Sequence, residues 1–200
     1  APLFTTTHTM TTLTLLCGGQ SRRMGQDKAL LDYHGETLLA RHLRLAHEAG
    51  LPVQLASGDT AYPVPPEVRR IADALPGHEG PLSALAGALA AIAENGGTET
   101  LLLPVDTLVT PAQLRDALAG AAPDPFVCIV HDGQPQPLFA RASVTLLPRL
   151  TDWLTNGLRR MMPLAALSGV RYVTCPADWP QPLNANTPED WNTLCHHSPT

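Results

Sequence analysis

The sequence has 200 residues, of which 44% are hydrophobic, 16% charged and 4% aromatic, and its formal net charge is -5. This length and apolar content suffice for one domain with a sizeable core, and the acidic balance argues against a protein that neutralises nucleic-acid phosphates. No apolar stretch approaches the roughly 18 residues of a membrane-spanning helix, and residues 1–9 lack the basic and apolar regions of a signal peptide.

The placement of the cysteines agrees with an intracellular protein. Cys17, Cys128, Cys175 and Cys195 form no C-x-x-C pair and no regular spacing, which predicts free thiols in a reducing compartment. We therefore expect a cytoplasmic protein in which residues 1–9 form a flexible leader and residues 10–196 form a single domain.

Apolar runs and helical periodicities alternate along the chain. In order, they predict a strand at 13–17, a helix at 37–49, strands at 53–56 and 68–72, a helix at 82–94, strands at 100–105 and 126–131, a helix at 143–156 and a strand at 170–174. Thr110-Pro111 and Thr187-Pro188 each predict a further helix, with a threonine cap before a proline in the first turn. Pro148 is expected to distort the helix at 143–156, and the proline-rich residues 62–66 are expected to form a surface loop. The pattern predicts a single α/β domain of three layers, Rossmann-like, with a mainly parallel, mixed sheet.

The loop after the first predicted strand has the composition of a phosphate-binding loop. It begins with Gly18-Gly19 and continues through Arg23 and Gly25 to Lys28. Glycines let backbone N–H groups approach anionic oxygens, and the two cations add positive charge beside them. Neither the Walker pattern nor the dinucleotide fingerprint is present, and Gly18-Gly19 alone would also fit an ordinary turn.

Two aspartates follow other predicted strands. In open α/β sheets ligands bind beyond the carboxyl ends of the strands, which is where Asp73 and Asp106 are expected. Asp106 is a candidate Mg²⁺ ligand, because Mg²⁺ takes one or two protein carboxylates together with phosphates and water. Asp73 could instead be a residue that forms a turn. Asp106 could instead cap a helix or be a solvated loop carboxylate.

Several motifs resemble the MobA-like nucleotidyltransferases, whose fold is of the nucleotide-diphospho-sugar transferase type. The loop segment from Leu16 to Lys28 is similar to the L-A-G-G-x-S-x-R-M-G-x-D-K signature of that family. Further similar segments cover nearly the whole domain: Gly80-Pro-Leu82, Pro104-Val-Asp-Thr107, Val130-His-Asp-Gly133, Arg159-Arg160 and Asn184-Ala-Asn-Thr-Pro-Glu189. The resemblance implies transfer of GMP from GTP, with Mg²⁺, to the phosphate of molybdenum-molybdopterin, with release of pyrophosphate.

The resemblance also implies roles for individual residues. Lys28, Arg23 and Asp106 would be catalytic, with Asp106 as the ligand of Mg²⁺. The GTP-binding residues would be Leu16, Cys17, Gly18, Gly19, Gly25, Lys28, Asp73 and Asp106. The pterin substrate would contact Asn184, Asn186, Arg159 and Arg160, although loop formation explains the asparagines equally well and a solvated helix end explains the arginines.

This sequence departs from the family pattern at three positions. Cys17 stands where alanine is usual, and Leu108 follows Thr107 where proline is usual. The second strand is followed by Ala56-Ser-Gly58 rather than by an asparagine, so that one nucleoside contact is either lost or made by Ser57.

Three other functions remain as alternatives. A cytidylyltransferase for molybdopterin, or a transferase for another sugar or cofactor, would use the same loop, but Gly18 favours guanine where cytidine-specific relatives carry alanine. A non-catalytic nucleotide-binding module has less use for Lys28 and Asp106 together.

We expect a monomer that contacts molybdopterin-synthesis proteins and molybdoenzyme chaperones, but neither nucleic acid nor membrane.

Overall fold

A computed structural model describes residues 11–18, 25–76, 80–122 and 124–196. The strands are β1 (Thr12–Leu16), β2 (Asp32–Tyr33), β3 (Glu36–Thr37), β4 (Val53–Ala56), β5 (Arg69–Ile71), β6 (Glu99–Pro104), β7 (Phe126–His131), β8 (Gln134–Ser143) and β9 (Val170–Thr174). The α-helices are α1 (Leu38–Glu48), α2 (Pro81–Glu94), α3 (Pro111–Leu118), α4 (Leu147–Thr155) and α5 (Pro188–Cys195). Short 3₁₀ turns cover Lys28–Leu30, Val144–Leu146 and Met162–Ala166.

Seven of these strands form one mixed sheet in the order β5-β4-β1-β6-β8-β7-β9. β8 runs antiparallel to both β6 and β7, whereas the other neighbouring pairs are parallel. β2 and β3 form a separate small hairpin. The predicted α/β fold with a mainly parallel, mixed sheet is confirmed. The chain moves outward from β1 to β4 and β5 and then returns to β6 on the other side of β1, which creates a topological switch point between β1 and β6.

The described core consists mainly of two large clusters, one on each face of the sheet. Alternate residues of one strand point to opposite faces, so that Leu101 and Leu103 of β6 lie in one cluster and Leu102 in the other. Helices α1, α3 and α5 cover the face of Leu101 and Leu103, and α2 and α4 cover the opposite face. The three-layer arrangement is therefore confirmed.

The predicted helix at residues 143–156 is partly wrong. Ser143 is the last residue of β8, and α4 begins only at Leu147. Pro148 lies in the first turn of α4, where a missing N–H breaks no helical bond, so it starts the helix instead of distorting it. β8 itself was not predicted.

The two threonine–proline helix starts are confirmed. The Thr110 hydroxyl accepts from Gln113 N at 3.1 Å and the Gln113 amide oxygen accepts from Thr110 N at 2.8 Å, which is a capping box. Thr187 and Asp190 form the same arrangement at α5. Residues 62–66 lack regular structure as predicted, but Tyr62 is buried at 5% exposure instead of lying on the surface.

All four cysteines are free thiols, as predicted. In the part of the chain that the structure describes, no helix combines the length and apolar character needed to cross a membrane.

Candidate active site

A cleft of about 1530 Å³ opens at the carboxyl ends of β1, β4 and β6 and at the start of α2. This volume exceeds the ~300–1,000 Å³ of an ordinary small-molecule pocket. The described residues that line it include most of the predicted site: Leu16, Cys17, Gly18, Gly25, Lys28, Asp73, Asp106, Asn184 and Asn186. The switch point of the sheet thus brings together segments that lie far apart in the sequence.

The cleft contains an ion pair between the predicted cation and the predicted metal ligand. Lys28 Nζ lies 2.6 Å from Asp106 Oδ2, and the two side chains are 20% and 13% exposed. Asn184 Nδ2 donates to the other carboxylate oxygen, Asp106 Oδ1, at 2.9 Å, while Asn186 Oδ1 accepts from Lys28 Nζ at 3.2 Å. Ala185 N donates to Asp106 O at 2.8 Å. The segment around Asn184 is therefore attached to both Asp106 and Lys28.

Lys28 is held by a capped turn. Asp27 is the N-cap of the 3₁₀ turn Lys28–Leu30, and its Oδ1 accepts from Ala29 N at 2.9 Å. Its second oxygen accepts from the Tyr62 hydroxyl at 2.5 Å. Burial, reinforced by this hydrogen bond, raises the pKa of Tyr62, so the phenol remains a donor at neutral pH. Tyr62 is a site residue that sequence analysis missed, because only the fold brings it to Asp27.

The end of β1 uses some of its backbone groups within the sheet. Leu16 C=O accepts from Val105 N at 3.0 Å, and Cys17 N donates to Ala56 C=O at 2.8 Å. A ligand at this strand end would therefore meet other backbone atoms of Leu16, Cys17 and Gly18. The Cys17 thiol is fully buried, and burial, followed by the charges of Asp27 and Asp106, raises its pKa. A thiol in this state is not a nucleophile at neutral pH.

The segment that carries Asp73 packs against α2. Ala74 N donates to Ser83 O at 3.0 Å, and Leu75 N donates to Ser83 Oγ at 2.8 Å. Gly87 lies one turn further along α2, where a Cβ atom would stand only 2.1 Å from Ala72 O. α2 therefore sets the position of the strand end on which Asp73 lies.

Other predicted site residues are placed differently. The Arg159 guanidinium donates to Leu154 O at 2.9 Å and to Leu158 O at 3.0 Å, at the end of α4, while its own carbonyl lies near Gly80 at the cleft edge. Arg160 is exposed. Gly19 and Arg23, like the expected leader at residues 1–9, lie outside the described residues.

The hydroxyl of Ser57 is hydrogen-bonded within its own segment of the chain. Its side chain is 3% exposed and its hydroxyl donates to Thr60 O at 2.9 Å, within a tight turn after β4. Of the two outcomes left open by the sequence, the geometry favours loss of that side-chain contact.

The residues around Asp106 fit a magnesium ion that is held mainly by a nucleotide. No group of three histidine, cysteine or acidic side chains that could form a protein cage occurs within residues 11–18, 25–76, 80–122 and 124–196. Asp106 supplies one carboxylate in a wide cleft, and the Asn186 amide oxygen lies beside the same ammonium group. Mg²⁺ is commonly bound by one or two carboxylates together with substrate phosphates and water.

The fold and the cleft agree with the family match of the sequence. Residues 13–178 match the MobA-like NTP transferase domain, and the chain belongs to this family. The resemblance of the sequence to this family is thereby confirmed.

Curated relatives match over most of their length. The chain is 34% identical over 189 residues to the molybdenum cofactor guanylyltransferase of Xanthomonas euvesicatoria, with 92% of this chain and 94% of the relative covered. It is 36% identical over 186 residues to the protein of the same name from Rhodobacter capsulatus, with 88% and 90% covered. The solved structure of molybdopterin-guanine dinucleotide biosynthesis protein A from Archaeoglobus fulgidus has the same fold, with a TM-score of 0.71 at 21% identity, covering 92% of this chain and 96% of that one.

Proposed function

We propose that the chain is a molybdenum cofactor guanylyltransferase that transfers GMP from GTP to the phosphate of molybdenum-molybdopterin and releases pyrophosphate. The names of the curated relatives support the nucleotide and the acceptor. The observation that carries the proposal in this chain is the pairing of Lys28 with Asp106 across the switch point, inside a cleft large enough for two substrates.

The reaction needs no nucleophilic side chain. An oxygen of the acceptor phosphate attacks the α-phosphorus of GTP, a new P–O bond forms, and the bond from the α-phosphorus to the bridging oxygen breaks so that pyrophosphate leaves. Such transfers depend on positioning and charge neutralisation, which Lys28 and Arg23 would supply to the phosphate oxygens. The buried, protonated Cys17 agrees with a direct transfer without a covalent enzyme intermediate.

Mg²⁺ is the proposed cofactor, with Asp106 as its protein ligand. When bound, it would neutralise charge on the triphosphate. Lys28 Nζ lies 2.6 Å from Asp106 Oδ2, so the ammonium group and the ion would compete for this carboxylate. With GTP and the ion bound, Lys28 would contact a phosphate instead, and Asn184 would keep its hydrogen bond to Asp106 Oδ1.

The nucleoside would lie toward the ends of β1 and β5. The proposed contacts are the backbone of Leu16, Cys17 and Gly18 and the carboxylate of Asp73, with Gly19 and Gly25 around the phosphates. All of these except Gly19, which lies outside the described residues, line the cleft.

The acceptor would occupy the remaining part of the cleft. Asn184 and Asn186 would contact the pterin while they hold Asp106 and Lys28, so their substitution would affect both substrates. Arg159 and Arg160 would lie at the margin, beyond Gly80. We further propose a cytoplasmic monomer that receives its acceptor from molybdopterin-synthesis proteins and delivers its product to molybdoenzyme chaperones.

Calorimetric titration of GTP, CTP and ATP, each with Mg²⁺, tests the proposal. Wild-type protein should bind GTP most tightly and form product with molybdopterin. Lys28→Met and Asp106→Asn should each weaken GTP binding by about 10- to 100-fold, since each removes a charge-assisted contact of roughly 1.5–3 kcal/mol.

The matched controls are Arg171→Met and Asp124→Asn, which break a 2.6 Å ion pair far from the cleft and should bind GTP as the wild type does. Equal or absent binding of all three nucleotides by the wild type would contradict the proposal. Preference for CTP would instead identify a cytidylyltransferase.

A further inference from the structure

Two side chains of α1 hold the backbone on both sides of Asp106. His42 Nε2 lies 3.1 Å from Val105 O and 3.0 Å from Thr107 O, the carbonyls immediately before and after Asp106. Arg41 Nη2 donates to Leu108 O at 3.1 Å. Three contacts from one helix, to the carbonyls of residues 105, 107 and 108, therefore fix the turn that leads out of β6.

The contacts of His42 determine its protonation. Both partners of Nε2 are carbonyl oxygens, so Nε2 carries the hydrogen and Nδ1 of the neutral ring is an acceptor. Burial, reinforced by the charge of Arg41, lowers the pKa of His42 to about 4, which keeps the ring neutral in the physiological range.

The arrangement is costly in stability. His42 is fully buried, and within the described part of the chain Nδ1 has no hydrogen-bond partner. A buried acceptor without a partner destabilises the fold, because it has lost its hydrogen bonds to water. Nη1 of Arg41 is likewise buried without a described partner. An apolar side chain would avoid these costs, but it could not donate to the carbonyls around Asp106.

The turn has few other means of keeping its shape. Residue 108 is a leucine, so no proline ring fixes the backbone angle φ there. Within the turn, Thr107 Oγ accepts from Val109 N at 3.1 Å, and the Asp106 carbonyl accepts from Ala185 N. Val105 N donates to Leu16 O at 3.0 Å in the sheet, and the described side-chain contacts to the carbonyls of residues 105, 107 and 108 come from His42 and Arg41.

We infer that His42 and Arg41 are positioning residues, which hold Asp106 where its carboxylate faces Lys28 in the apo protein and the nucleotide-bound metal ion during transfer. The part of this inference that concerns the metal ion rests on the proposed function. Neither side chain lines the cleft, so their effect on the reaction passes through the Asp106 backbone.

The first measurement needs no ligand. Lys28 is the only lysine in the sequence, so protein labelled with ¹³Cε-lysine gives one ε-methylene resonance, which reports on the Lys28–Asp106 ion pair. His42→Leu removes the donor, His42→Gln keeps an N–H donor, and His47→Leu is the control on the exposed face of the same helix. The resonance in Asp106→Asn marks the broken pair.

We expect His42→Leu to move the resonance toward its position in Asp106→Asn, whereas His42→Gln and His47→Leu leave it near the wild-type position. The second measurement is the affinity for GTP with Mn²⁺, followed by the paramagnetic signal of the ion. Removal of a group that orients a metal ligand costs about 10- to 100-fold in metal affinity, and we expect a loss of this size in His42→Leu but not in His42→Gln or His47→Leu. Arg41→Met should show the same two changes, and because the Arg41 side chain is only partly buried, this variant replaces His42→Leu if that protein does not fold.

A wild-type lysine resonance in folded His42→Leu would overturn the inference. Equal effects of His42→Gln and His42→Leu would also overturn it, because packing and not the donor would then matter. If wild-type protein fails to bind GTP, the proposed function falls, and the lysine resonance still decides whether α1 positions Asp106.

Discussion

Replacement of Gly87 by alanine should destabilise the protein, although alanine is the better helix former. An ideal Cβ at this position would lie 2.1 Å from Ala72 O, 3.1 Å from Ala72 C and 3.2 Å from Ala74 N. Real Cβ contacts essentially never fall below 3.0 Å, so α2 and the strand-end segment must separate by about 0.9 Å. The obstacle is backbone, which cannot rotate away as a flexible side chain would.

The size of the effect follows from three opposing contributions. Alanine in a helix interior gains about 1 kcal/mol over glycine. Overpacking of a closely fitted contact costs about 1–3 kcal/mol. A separation of about 0.9 Å also breaks the hydrogen bonds from Ala74 N and Leu75 N to Ser83, which are 3.0 and 2.8 Å long and each worth about 1 kcal/mol. We expect a net loss of about 2–4 kcal/mol in the free energy of unfolding.

Urea unfolding measures this loss as a lower midpoint at an unchanged m-value. For a domain of this size the melting temperature should fall by roughly 5–15 °C. Gly120→Ala is the matched control, since its Cβ meets nothing within 4 Å and should change the stability by less than about 0.5 kcal/mol. A Gly87→Ala protein as stable as the wild type would refute the reasoning, because it would show that α2 moves away without cost.

Three further perturbations have defined outcomes. His42 is neutral in the folded protein, where its pKa is about 4, whereas its pKa in the unfolded chain is the usual value of about 6.5. Its effect on the free energy of unfolding should therefore be fully present above about pH 6.5, and the free energy of unfolding should decline by about 3 kcal/mol as the pH falls to 4. Urea titrations at several pH values should find a smaller decline in His42→Gln. Tyr62→Phe removes the hydroxyl that donates to Asp27, and should raise KM for GTP several-fold while kcat changes little; an unchanged KM would show that Asp27 alone orders the turn. A double-mutant cycle of Asn184→Ala and Asp106→Ala should give a coupling energy of about 1–2 kcal/mol in unfolding, whereas additive effects would mean that their hydrogen bond contributes nothing.

The sequence was sufficient for the parallel part of the sheet and for the two helix starts that a threonine caps. β1, β4 and β6 are short apolar runs that end at glycine or aspartate, and Thr110 and Thr187 carry their capping partners three residues later. These signals are local, so they can be read without knowledge of the fold.

The antiparallel strand β8 could not be read in this way. Pro135 and Pro137 lie in its first half and lack an N–H for the sheet, which is typical of a loop. The pairing of β7 with β8 shifts register between Cys128 and Ile129, which lets the strand accommodate this irregular stretch. The apolar residues after Ser143 then suggested too early a start for α4.

The same distinction between local and long-range signals applies to the candidate site. Lys28 and Asp106 follow strands in the sequence, and the switch-point rule brings both to one cleft. His42, Tyr62 and Gly87 could not be predicted, because each acts through a contact with a segment that is distant in the sequence. A histidine on an apolar helix face gives no indication of the carbonyls that it will meet.

The long sequence separation within the Lys28 cluster has a consequence for protein synthesis. Asn186 follows Lys28 by 158 residues, and Asn184 follows Asp106 by 78. At about 5–20 residues per second, a ribosome needs roughly 8–30 s to pass from Lys28 to Asn186. During that time a nascent chain already carries the Gly-rich loop and then Asp106, but it lacks the two amides that hold them. The cleft is therefore completed only after the ribosome has passed Asn186, and a nascent chain that stops short of this residue cannot hold a nucleotide as the folded domain would.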